Sequence, residues 1–357
     1  MSKSLIRFTG HTFFRQRLVL STLIGRPIRI DAIRAEDDNP GIRDYEAGFL
    51  RLLEKITNGS SVEISYTGTS ILYQPGSLVG GKVTHDCSTS KSIGWYLESI
   101  MVLAPFLKKP LNLTLKGITT DGVDISADTL RTVTLPHLTL FGISEGLELK
   151  ITKRGAAPLG GGEVSFSCPT LRQIKTLNFS DKGRIKRIRG IAHSVRVSPQ
   201  LSNRMVEASR SILNRYIPDI YLYTDVYRGE EAGKSPGYAL TLVAESTTGT
   251  LHTAEAVSEP GTTPEDIAKK AAFGLLEEIS HKGAVDRSHQ WLVLLLMSLG
   301  SEDVSKCRMG ELTPHTIQFM RDLRDVLGVT FKIKPLNDDE YMLSCVGIGY
   351  TGQKKVA

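Results

Sequence analysis

Short alternating segments and longer amphipathic segments follow one another in this chain in an order that recurs at about ninety-residue spacing, the signature of tandem duplicated units. Residues 5–8 read as a strand and residues 12–24 as a helix, followed by the alternating RPIRIDAI. GIRDYEAGFLRLLEKIT then carries Phe49, Leu50, Leu52, Leu53 and Ile56 on one helical face, and SVEISYTG with SILYQPG close a hairpin. The order β-α-β-α-β-β returns in residues 78–168: LVGGKVTH, STSKSIGWYLESIMVLAPFL, LNLTLKGI, SADTLRTVTLPHLTLF, LELKITKRG and GEVSFSC. It returns again as KRIRGIAHSVRVS, a buried helix over 286–299, a second helix over 313–327, and the strands VTFKIKP and YMLSCVGI.

Residues 198–285 interrupt the third unit with their own helices and strands, including a helix opened by Pro264 with acidic residues behind it. The expected architecture is therefore α/β (α+β). Three tandem β-α-β-α-β-β repeats (1–77, 78–185, and 186–197 with 286–357) form a large domain, and 198–285 form a smaller inserted α/β subdomain.

Composition narrows the function classes. The chain has 357 residues, 44 basic against 38 acidic side chains and a formal charge of +6, a balance that favours an anionic partner. Lys182, Arg184, Lys186, Arg187 and Arg189 cluster in KGRIKRIR, where Ile185 and Ile188 alternate with them as on a strand edge. Cys87, Cys168, Cys307 and Cys345 have no ligand-like spacing, so neither a zinc site nor a disulfide framework is expected. MSKSLIRF lacks a signal-peptide core, and WLVLLLMSLG falls far short of the roughly 20 residues that cross a bilayer. An intracellular protein without a membrane partner is expected.

The stretch RFTGHTFFRQRLVLS, residues 7–21, has the strand-turn-helix layout of a phosphate cradle, yet a single glycine, Gly10, precedes His11, Thr12, Phe13 and Phe14. Arg15 and Arg17 are the candidate anion or RNA-phosphate ligands there, joined by Lys186, Arg187 and Arg189 of the basic strand. Arg321, Asp322, Arg324 and Asp325 mark a charged helical patch for RNA or a protein partner, against the alternative of a solvated helix face.

The repeats, the interruption of the third, RG-x-x-P-x-GGG-x-V ending in Gly160, Gly161 and Gly162, the ESTTG segment, and HQWLVLLLMSLG followed by PHTIQFM together resemble the RNA 3'-terminal phosphate cyclase family over essentially the whole chain. The resemblance implies ATP-dependent adenylylation of a histidine and closure of a cyclic phosphate on RNA. On that alignment His315 takes the place of the nucleophile, Phe8 that of the loop glutamate, and His289 that of an aspartate. A phenylalanine cannot ligate magnesium.

These departures match a non-cyclase eukaryotic branch of the family. Membership in that branch implies a nucleolar role in the early pre-rRNA cleavages that yield small-subunit (18S) rRNA, with no cofactor and no metal. The implied partners are a large ribosome-biogenesis GTPase, pre-rRNA and a small nucleolar ribonucleoprotein. The alternative is an endoribonuclease using His289 and His315 as base and acid; an active cyclase is the remaining option.

Overall fold

A computed structural model describes residues 5–352. Three four-stranded mixed sheets share one strand arrangement. The first runs, in spatial order, Ile6–Thr9, Ile28–Asp31, Ile71–Gln74, Ser61–Ile64; the second Gly81–Asp86, Leu111–Gly117, Gly162–Cys168, Glu148–Lys153; the third Asn178–Phe179, Val304–Met309, Glu340–Val346, Lys332–Asn337. In each sheet the first two strands are parallel and the remaining pairings antiparallel.

A parallel pair needs a crossover. The helices Phe14–Ile24, Ile93–Leu103 and Gln290–Leu299 lie within the three crossovers. A second helix follows in each unit: Asp44–Ile56, the segment 127–140 with an i→i+5 turn in its middle, and Pro314–Leu327. The apolar faces of these helices and sheets merge into one core, in which every side chain of Ile93–Leu103 is buried. No helix among the described residues is long and apolar enough to cross a membrane.

Strand pairing moves one boundary. The strand Ile185–Val195, expected to open the third repeat from residue 186, lies instead inside the inserted sheet, whose order is Ile220–Tyr227, Ile185–Val195, Gly237–Ser246, Leu251–Val257. The physical reason is its apolar face. Ile188 and Ala192 pack with Leu222, Leu240, Leu242 and Ala244 beneath the helices Gln200–Leu213 and Pro264–Ser280, in a core distinct from that of the repeats. The third repeat is opened by the two residues Asn178–Phe179, paired in parallel with Lys306 and Cys307. Two residues carry no readable alternation.

Helix starts follow local chemistry. The Thr263 hydroxyl accepts from the Asp266 amide while the Asp266 carboxylate accepts from the Thr263 amide, a capping box at the Pro264 helix. Ser126 caps the segment beginning at Ala127 in the same manner, accepting from Thr129.

Candidate functional site

The strand Ile6–Thr9 ends at Gly10, which takes the left-handed backbone (φ 77°) and turns the chain into the helix Phe14–Ile24. A cleft of about 390 Å³ opens at this helix start, its walls including His11, Phe13, Arg15, Lys91, Trp95 and His315. This is the position of the expected cradle. No side chain caps the helix and its first turn carries no acidic residue.

An aromatic ring forms part of the wall. Phe13 also holds a left-handed backbone, at φ 60° and ψ 24°, a conformation that costs an L-residue about 1–2 kcal/mol. Its side chain is 5% exposed, and its ring centroid lies 4.2 Å from that of His315 and 6.1 Å from that of Phe319. Burial of the apolar ring supplies the compensation. His315 follows Thr313 and Pro314 at the start of the helix Pro314–Leu327, and partial burial, then the Arg15 charge, hold its imidazole below the ordinary pKa.

The arginines singled out for anion contact face inward. Arg15 donates to the Trp95 carbonyl and to Glu98 Oε2 at 3.3 Å, with its guanidinium 4.7 Å from the centre of the Trp95 ring. The buried Glu98 carboxylate also accepts from Trp291 Nε1 at 2.9 Å. One carboxylate thus ties the first, second and third repeats together. Arg17 is 7% exposed; its Nε donates to Asp322 Oδ2 at 3.1 Å and its Nη1 to the Thr9 carbonyl at 3.3 Å, while Phe8 lies under the guanidinium at 4.4 Å.

Two cleft cations are held likewise: Lys91 by Asp124 at 3.1 Å, and Arg34 by both oxygens of Glu46 at 2.8 Å. A triphosphate with magnesium does not fit this set. Phe8 offers no carboxylate, Phe13 takes up wall space where a glycine would leave backbone room, and the cations are already neutralised.

The charged helical patch divides. Asp322 is buried against Arg17 and Gln318. Arg321, Arg324 and Asp325 are exposed, with Arg324 bonded to Asp325 at 3.1 Å. On the basic strand, Lys186 and Arg187 share Glu245, at 2.9 Å and 2.6 Å, and Arg189 pairs with Asp219 at 2.8 Å.

His289 and His315 are not brought together. His289 is wholly buried, 2.5 Å from Asp286 Oδ1 through Nδ1 and 2.8 Å from the Thr134 hydroxyl through Nε2, with His137 stacked on it at 5.0 Å. Burial alone would lower its pKa, but Asp286 reverses that and leaves it raised. His289 is absent from the cleft walls.

A second polar centre escaped sequence reasoning. Arg154, fully buried, donates to both oxygens of Asp128 at 2.6 and 2.8 Å, to Asp225 Oδ2 at 2.8 Å, and lies 3.2 Å from His193 Nδ1. Asp128 belongs to the second repeat; Asp225 and His193 belong to the insert. Burial opposes ionisation of Asp128, yet Arg154 holds its pKa down at about 2.

Beside it, Gly155, Gly160, Gly162 and Gly233 pack backbone on backbone. A Cβ on Gly233 would sit 2.3 Å from the Gly160 oxygen. The glycine-rich hairpin therefore docks the insert. The arginine standing directly before Gly155 was the only sequence signal.

Among the described residues no group of three or more His, Cys, Asp and Glu side chains is placed to hold a metal ion. All four cysteines are buried and free.

The RNA 3'-terminal phosphate cyclase family matches residues 6–333. The human RNA 3'-terminal phosphate cyclase-like protein is 53% identical over 363 residues, covering 98% of this chain and 97% of its own length. The rRNA processing protein rcl1 of Schizosaccharomyces pombe is 48% identical, with 96% of each chain covered. The rRNA processing protein RCL1 of Saccharomyces cerevisiae is 41% identical, with 98% of this chain and 97% of its own covered. With that match and relatives 41% to 53% identical over nearly the whole chain, the chain belongs to the RNA 3'-terminal phosphate cyclase family.

Proposed function

We propose that the chain is a non-cyclase member of its family that acts in rRNA processing, in the early nucleolar cleavages that yield 18S rRNA. In this role it binds pre-rRNA, a large ribosome-biogenesis GTPase and a small nucleolar ribonucleoprotein. The observation that carries the reading is the altered cradle: Phe13 packed on His315, with Arg15 and Arg17 drawn inward by Glu98 and Asp322. A nucleophile needs activating partners within hydrogen-bond reach, and the His315 ring is packed on Phe13 instead. The rRNA-processing names of the two yeast relatives support the pathway. Burial of His289 removes one of the two groups a metal-independent nuclease would use.

Removal of the chain from its own cells, followed by hybridisation of pre-rRNA, tests the reading. Unprocessed small-subunit precursors should accumulate and 18S rRNA should fall. An unchanged precursor pattern overturns it. On the chemistry, incubation of the purified chain with ATP should leave its intact mass unchanged, whereas a covalent AMP on His315 would restore the cyclase reading.

A further inference from the structure

The insert sheet has two unlike faces. One lies under the helices Gln200–Leu213 and Pro264–Ser280. On the other, strand alternation places cross-strand rows side by side: Tyr221 with Arg189 and Val243, and Tyr223 with Ile191 and Thr241. Toward the Asp225 end this face is covered by the second repeat, through Arg154 and through Glu255, which accepts from Ser126 and Thr129. Toward the Ile220 end it is open. Tyr221 and Tyr223 are 51% and 55% exposed, their rings edge-on at 4.5 Å.

A mainly apolar pocket of about 250 Å³ adjoins Tyr223, with Ile191 and Val243 in its floor and Thr132 of the second repeat in its wall. Thr241 also lines it. Its hydroxyl is buried and has no hydrogen-bond partner among the described residues, an unmet polar group beside an apolar slot. The basic strand borders the same opening, where Lys186, Arg187 and Arg189 share two carboxylates, those of Glu245 and Asp219. Exposed ion pairs of this kind are weak and exchange readily for another anion.

We propose that this open corner of the insert binds single-stranded RNA. Bases stack on Tyr221 and Tyr223, one base enters the pocket toward the Thr241 hydroxyl, and backbone phosphates follow Arg187 and Arg189. Aromatic side chains beside a cationic track are the recurrent means of holding unpaired bases. A protein strand added to the free edge of Ile220–Tyr227 would engage backbone groups and leave the pocket, which lies on the face, empty. The proposal rests on the rRNA-processing reading for the identity of its ligand.

The test uses the full chain and a fluorescently labelled oligouridine of about twelve nucleotides, within the usual span of such sites. Tyr221→Ala/Tyr223→Ala should weaken binding by about tenfold or more, and Tyr221→Phe/Tyr223→Phe should bind within about twofold of the parent, since the stacking surface is kept. Equal affinity in the alanine pair and the parent overturns the platform, as does a parent chain that does not bind the oligonucleotide. So does an alanine pair that keeps RNA affinity but loses a protein partner. Pre-rRNA accumulation on removal of the chain is read separately, so the platform can fail while the processing role stands.

Discussion

Phe13, Arg15, Arg17 and Arg154 show how far single residues can be read from their neighbours in sequence. Gly10 followed by His11, Thr12 and Phe13 already indicated a cradle without room. The fate of the arginines was not legible, because Glu98, Asp322, Asp128 and Asp225 are distant in sequence and a local window sees only uncompensated charge. Removing one partner of a buried ion pair leaves the other charged and unpaired. Arg154→Ala should therefore lower unfolding stability by about 3–5 kcal/mol in urea titration, with Arg154→Lys only partly restoring it because the bidentate geometry to Asp128 is lost.

Buried histidines give the pH dependence. Burial, then His289, pushes His137 down to about 4, and burial, then Arg154, pushes His193 to about 3. Below the ordinary value of about 6.5 the unfolded chain takes up protons that these folded imidazoles refuse. Stability should thus fall as pH drops from about 6.5 toward 4, each group contributing up to about 1.4 kcal/mol per pH unit. His137→Gln should flatten that fall in urea midpoints measured across the range.

At the scale of elements, hydrophobic periodicity located the helices and hairpins of the first two repeats well, because their faces are long and regular. It misplaced Ile185–Val195, since alternation reveals that a strand has an apolar face but not which sheet that face completes. The short strand Asn178–Phe179 offered no pattern. The glycine hairpin was legible as a tight turn, while its second use, letting the insert approach the backbone of the second repeat, appears only in the close packing of Gly155, Gly160, Gly162 and Gly233. Gly233→Ala places a methyl group against the Gly160 and Arg154 carbonyl oxygens. It should destabilise that docking by about 1–3 kcal/mol, seen as faster amide exchange in residues 229–236 with little change in Gln290–Leu299.

Across the whole molecule, the three repeats converge on Glu98, which receives Arg15 from the first and Trp291 from the third. The insert stands on a separate core, riveted by Arg154. This division ties the repeats together at Glu98 beside the cleft and puts a charged, aromatic surface on the insert. RNA affinity should accordingly fall with salt at a log–log slope of roughly −0.7 per neutralised phosphate, and Arg187→Glu/Arg189→Glu should flatten that slope. Arg17→Leu should leave it unchanged. The most direct measurement of a cyclase scaffold working without cyclase chemistry is the small-subunit precursor level in cells depleted of the chain and resupplied with His315→Ala. The account predicts that this variant restores processing to the level of the unaltered chain; precursors that stay high with a folded His315→Ala protein present would contradict it.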